Sequence, residues 1–430
     1  MINKPKILVV GPVCNLSGYS EHARTLLDSL LELQDTIEVY VQDTQWAATS
    51  RSSKYYEKYK NLIDKTNRLF VSRQDAQGNI NINDLFTATY QVRPPNEFQP
   101  MSPHDIGVTA ALETTFAPSE WVAKCNTMKH ILVVSNHAKE NLKNTKDENG
   151  VGISCPITVI PFGHDDTVEQ IDIYKGMNIK TKFNFLTVLQ MAPRKNFRMT
   201  LKWFIENFKD DEEVGLIVKT HMHNNSTMDF YATKQDIEAT LQAIAPSRKC
   251  KVYFVHGSLT EQEMESLYNP DYIDCYVTAT HGEGFGIPIF RAACNGIPII
   301  ATNWSGHLDF LRAPSKNRAG NTKLKSHFIK VAYDLKPVEQ QHLMPGLITE
   351  SCIWAYPKED SFKKSLNFIR RNKESFLEDS KNLSNYLREK NNLKVIKGMY
   401  KDFNNEELSP YLKTVQEYED EVDSLLDDLI

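Results

Sequence analysis

The stretch HGEGFGIPIFRAACNGIPII, residues 281–300, carries four glycines and two prolines between apolar runs. Glu283 sits among the glycines, and Arg291 follows eight residues later. The pattern reads as a tight turn, a helix, a second turn and a strand, the core of one βαβ unit. In open α/β sheets ligands bind where such turns leave the strands, so a carboxylate placed there is a candidate site residue.

Working outward, the same alternation recurs along the chain. KILVVG (6–11) reads as a buried strand, PVCNLSG as a turn, SEHARTLLDSLLEL as a helix with one apolar face, and IEVYVQD (37–43) as the next strand. Further strands are expected at 105–112, 130–135 and 156–162. A second series starts at FNFLTVLQ (183–190) and continues through helix 198–208, strand 214–220, helix 226–244, strand 251–255 and strand 274–279. Between the last two, TEQEMESLY begins with Thr260 and Glu263 at capping-box spacing. Strict alternation of this kind predicts mainly parallel sheets covered on both faces. Two such series place two doubly wound domains across a cleft: 1–170, 171–365, and a helical 366–430 that packs back.

Composition agrees with a globular chain. Of 430 residues, 41% are apolar and 24% charged. No apolar run approaches the ~20 residues of a membrane span. The seven cysteines are scattered and never form C-x-x-C, which predicts reduced thiols, no zinc site and a cytoplasmic protein. Peripheral attachment to a membrane stays open. The net charge of −5 hides an acidic end, residues 401–430, with two lysines and ten acids. There Leu412, Val415, Tyr418, Val422, Leu425 and Leu426 recur at helical spacing, which predicts a solvated helix.

Two glycine-led helix starts suit phosphate: Gly11–Gly18 with Ser17 and Ser20, and Gly282–Gly286 leading into a helix near Pro288. Neither is a Walker loop or a clean G-x-G-x-x-G. PRKN (193–196) puts Arg194 and Lys195 at a third strand end, where a guanidinium fork and an ammonium suit a diphosphate. Glu113, in ALETT, is a candidate for contact with a sugar. The segment 49–70 holds six basic and two acidic residues interleaved with Tyr55, Tyr56 and Tyr59. It reads as a solvated helix, with a glycan, membrane or nucleic-acid surface as alternatives. The basic stretch 315–330 reads as a surface loop. Of the histidines, His281 is singled out only by its neighbours.

EGFGIPIFRAACNGIPIIAT resembles the nucleotide-sugar signature of GT-B fold retaining glycosyltransferases of family 4 (glycosyl transferases group 1), E-G-F-G-x-P-x-x-E-A-x-x-x-G-x-P-V. LQMAPRKN resembles that family's basic phosphate loop. ETTFAPSEWVAKCNTMKHILVVSNHAKENL, VIPFGHD and VHGSLTEQEMESLYNPDYIDCYVTAT resemble its flanking segments. The resemblance implies a hexosyl- or pentosyltransferase that uses a nucleotide-diphosphate sugar, a UDP-sugar first, without a metal or other cofactor. It implies that Glu283 binds donor-sugar hydroxyls. Backbone N–H groups of Gly284, Phe285, Gly286 and Ile287 would cradle sugar and β-phosphate. Lys195 would neutralise the leaving diphosphate with Arg194 beside it, and the Gly18 loop would close over it. The implied acceptor is a hydroxyl of a glycan or lipid-linked glycan; a hydroxylated DNA base is the alternative.

Two positions depart from the pattern. The second signature glutamate, a ribose contact in the family, is Arg291, and the arginine five residues before the basic-loop lysine is Gln190. A guanidinium only donates hydrogen bonds where a carboxylate accepts them, so Arg291 must meet an acid, a phosphate or an unusual nucleotide. A non-catalytic nucleotide-sugar binder is therefore a second reading, and an epimerase or phosphorylase a third.

Overall fold

A computed structural model describes residues 4–75, 77–316 and 322–412. Of the acidic helical end expected over 401–430, residues 401–412 are described and the rest lies outside. The first sheet is all parallel, in the order β2-β1-β3-β4-β5-β6. Its strands are β1 (Lys6–Gly11), β2 (Glu38–Asp43), β3 (Ala88–Val92), β4 (His104–Thr109), β5 (His130–Val133) and β6 (Ile157–Val159). Helices α1 (Gly18–Leu31), α2 (Ser53–Ser72), α3 (Trp121–Cys125) and α4 (Asn136–Asn144) connect them. The expected strands are present, and β3 is an addition. It was hidden because ATYQV carries a glutamine mid-strand; the fully buried Gln91 satisfies its amide on the backbone of Gln99 (2.6 and 3.2 Å).

The second sheet runs β14-β11-β10-β7-β8-β9, again parallel. It contains β7 (Phe183–Gln190), β8 (Val214–His221), β9 (Lys251–Val255), β10 (Cys275–Val277), β11 (Ile299–Thr302) and β14 (Ile329–Val331). Helices α5 (Phe197–Phe208), α6 (Thr227–Ile244), α7 (Glu261–Ser266) and α8 (Ile287–Cys294) cover it. Thr260 caps α7 as a reciprocal capping box with Glu263, as its spacing predicts.

The basic stretch 315–330 is not a plain loop. Arg312–Lys316 (β12) pairs antiparallel with Thr322–Ser326 (β13), and Ile329–Val331 then extends the second sheet as β14. Exposed lysines on β13 leave the backbone free to pair, so a basic composition did not exclude a hairpin. A second hairpin, β15 (Tyr333–Pro337) with β16 (Ile353–Pro357), reaches the first unit: Val338, Cys352 and Trp354 pack with Phe98, Trp121 and Val133.

Helices α9 (Glu359–Asn372), α10 (Glu374–Lys390) and α11 (Leu393–Leu408) end the described chain. The first packs on α5 through Phe362, Leu366 and Ile369. The last crosses back, burying Ile396, Tyr400, Phe403 and Leu408 against α1 and the first sheet. There Tyr90 donates to Asn404, 2.7 Å away. The carboxyl ends of both sheets thus face each other, with the glycine turns of the sequence at the seam. No described helix is long and apolar enough to cross a membrane.

Candidate functional site

The residues singled out in sequence converge at this seam. Arg194 and Lys195 lie on a single 3-10 turn after β7, which ends at Asn196 in a left-handed conformation (φ 51°). Asparagine tolerates that backbone, and the turn aims both side chains at the 282–286 loop. Lys195 Nζ stands 2.5 Å from Glu283 Oε2, and Arg194 Nη1 stands 3.4 Å from the same oxygen. Arg194 also donates to the Gly282 carbonyl. Its other arm reaches Glu113 of the first unit, Nη2 to Oε1 2.9 Å. Two cations and two carboxylates therefore form one charge-balanced cluster across the cleft.

Glu283 is only 6% exposed. Burial by itself would raise its carboxyl, but Lys195 and Arg194 together hold it down at about 2. Burial pulls the Lys195 ammonium below its usual range; the Arg194 charge adds to that, and Glu283 opposes it. Arg194 moves the other way: burial opposes its charge, and Glu113 and Glu283 outweigh it. The Glu283 carboxylate is thus an ionised acceptor, with no proton to give at neutral pH.

The glycines make the close approach possible. A Cβ on Gly282 would lie 2.8 Å from the Glu113 carbonyl and from the Trp304 ring, and one on Gly284 would lie 3.2 Å from Ala110. Gly286 has φ 94° and caps α8, with Pro288 in its first turn. The first N–H groups of a helix lack intrahelical partners, so Ile287 N–H is left outside the α8 ladder, and Pro288 has no N–H to leave. The Phe285 side chain, by contrast, packs in the core against Phe162, Phe290 and Phe310, leaving only its backbone to the site.

Facing this turn is the start of α1. Ser17 caps it, accepting from Ser20 N, and a Cβ on Gly18 would meet Ile287 Cδ1 at 3.3 Å. Both glycine-led helix starts therefore look into one cleft. Arg291 lies one turn further along α8 and does not join the cluster. It pairs with Glu21 of α1, Nη2 to Oε1 3.3 Å, so the guanidinium meets an acid from the opposite unit. Gln190 turns away, donating to the Met222 carbonyl. His281 is a packing residue: Nδ1 sits 2.8 Å from the Ala355 carbonyl and the ring stacks on Trp354.

Three residues not singled out as site residues complete the loop. Ser135, which caps α4, donates to the Gly284 carbonyl at 2.6 Å. Ser305 Oγ accepts from Glu283 N at 2.8 Å, and Glu21 holds Arg291. A serine opening a helix was the available signal for Ser135; nothing local marks the other two. The basic α2 is a solvated helix with one buried tyrosine, Tyr59, which donates to Asp28 (2.9 Å). Lys54, Lys58 and Lys65 pair with Glu261, Asp28 and Glu38. Among the described residues no group of three or more His, Cys, Asp or Glu is placed to hold a metal.

No protein-family model matches the chain, and no curated protein matches it in sequence. Solved structures do. Sucrose-phosphate synthase from Thermosynechococcus elongatus superposes with a TM-score of 0.60 at 13% identity, over 95% of this chain and 100% of that one. Anabaena Alr3699/HepE in complex with UDP-glucose gives 0.57 at 11% identity, over 94% and 100%. A UDP-forming α,α-trehalose-phosphate synthase from Burkholderia xenovorans gives 0.56 at 10% identity, over 92% and 98%. The chain has the GT-B fold, two doubly wound units facing across a cleft.

Proposed function

We propose that this chain transfers a sugar from a nucleotide-diphosphate sugar, a UDP-sugar first, to a hydroxyl acceptor, as a retaining, metal-independent family 4 glycosyltransferase. The observation that carries the reading is the buried Arg194–Lys195–Glu283 group beside the start of α8. It brings two cations and the N-terminal end of α8 to one place, as a departing diphosphate requires, and an ionised carboxylate to accept sugar hydroxyls. The solved structures of like fold include one with UDP-glucose bound, which supports the choice of donor.

In this reading the donor's C1–O bond to phosphate breaks as the acceptor oxygen bonds C1 from the same face. The acceptor proton passes to the leaving phosphate oxygen. Lys195 and Arg194 stabilise the charge that develops on that phosphate, Glu283 orients the sugar, and Glu113 holds Arg194 in place. Alignment and fixed charge, rather than a protein nucleophile, carry the rate. The lysines of α2 that already hold acidic partners favour an uncharged glycan acceptor over DNA. Salt separates the two, since binding to DNA weakens steeply as salt rises and binding to a neutral glycan does not.

The test is a thermal-shift panel of UDP, GDP, ADP, dTDP and CDP, with and without EDTA. A ligand at ~100 times its Kd stabilises by about 2.7 kcal/mol, a visible shift. One nucleotide standing out, unchanged by EDTA, is the expected result. A flat panel would overturn the reading and leave a fold without its donor.

A further inference from the structure

Ser305 is the one described non-glycine residue in a backbone region that glycine all but monopolises, with φ 89° and ψ −165°. It is also 5% exposed, so no solvent-facing turn explains the conformation. A residue stays there only where its surroundings over-determine it. The surroundings are a hydrogen-bonded chain that ends at the candidate site. His307, fully buried, places Nε2 2.7 Å from the Thr302 carbonyl, so Nε2 carries the ring proton. Its Nδ1, 3.4 Å from Ser305 Oγ, is then an acceptor and takes the hydroxyl proton. With that proton committed, the Ser305 oxygen presents its lone pairs to Glu283 N, 2.8 Å away. The polarity of the whole chain is fixed by one backbone carbonyl. The next residue closes the grip: Gly306 N donates to the Glu283 carbonyl at 2.9 Å.

We propose that Ser305 is a positioning residue, held in a strained backbone so that its hydroxyl fixes Glu283 in the orientation that meets the donor sugar. This rests on the donor reading of the site, and deepens it: Ser305 acts on the sugar half of the donor, through Glu283, and not on the diphosphate half, which Arg194 and Lys195 face.

Ser305→Gly and Ser305→Ala separate the parts. Both remove the hydroxyl, but only glycine relieves the backbone. Alanine ordinarily stabilises relative to glycine by restricting the unfolded chain. Here the order is expected to reverse, with the urea midpoint of Ser305→Gly above that of Ser305→Ala. An alanine variant as stable as the glycine one, or more so, would overturn the strain. For the positioning role, Kd for UDP is expected to stay within about twofold of wild type in both variants. The tighter binding of UDP-glucose over UDP is lost, and kcat falls about 10- to 100-fold, as misplacement by about an ångström costs. A merely structural serine would move all three together or none, and either result would overturn the positioning role. Wild type that binds neither UDP nor UDP-glucose would sink the donor reading, and the positioning role with it. The two urea midpoints would still decide the strain.

Discussion

Replacing Glu283 by glutamine keeps the shape of the side chain and removes its charge. The carboxyl is held at about 2, against an ordinary 4.5, because Lys195 lies 2.5 Å and Arg194 3.4 Å away. A depression of that size is worth about 3 kcal/mol at neutral pH. The general cost of removing one partner from a buried pair, about 3–5 kcal/mol, agrees. Because the folded value lies below the unfolded one, the contribution is fully present above about pH 4.5 and lost as pH falls towards about 2. The gap between wild type and Glu283→Gln should therefore shrink from about 3 kcal/mol at pH 7 to about 2 at pH 3.5. Urea denaturation followed by tryptophan fluorescence at pH 7, 5 and 3.5 measures it. Equal midpoints at pH 7 would show that the ion pair contributes nothing, and a gap constant down to pH 3.5 would show that the cost arises from packing. Either result refutes the electrostatic account of the cluster.

Lys195→Ala removes a cation that faces the proposed diphosphate, so Kd for UDP should rise at least about tenfold, the loss of one charge-assisted contact, measured by calorimetry; an unchanged Kd would remove Lys195 from the site. Glu21→Arg and Arg291→Glu should each destabilise and the double swap should restore most of the loss. Since Glu21 is 37% exposed, the coupling should be only about 1 kcal/mol. A cycle with no coupling would mean that the two charges ignore each other in solution. Thr260→Ala should cost about 1 kcal/mol by removing the α7 cap, read from the urea midpoint. No loss there would mean that α7 is held by its packing alone.

What the sequence disclosed and what it hid divide along one physical line. The capping box at Thr260, the glycine turn around Glu283 and the basic turn at Arg194–Lys195 are local patterns, and local patterns fix local backbone. The alternation of strands and helices likewise disclosed two doubly wound sheets. Strand β3 was hidden because its buried glutamine is satisfied by a loop eight residues away, which no periodicity reveals. The Glu21–Arg291 pair joins residues 270 positions apart, and the conformation of Ser305 is a φ angle, not a letter. The serine also breaks a local rule, standing where the backbone suits glycine. Such conflicts are expected where function outweighs local preference, and rare elsewhere. Arg291 lies one turn into α8 and pairs with Glu21 outside the cluster, whereas the serine bonds the Glu283 N–H directly. The departure at Ser305, bonded to the Glu283 N–H itself, points to Glu283 as the group the rest of the loop is arranged to hold.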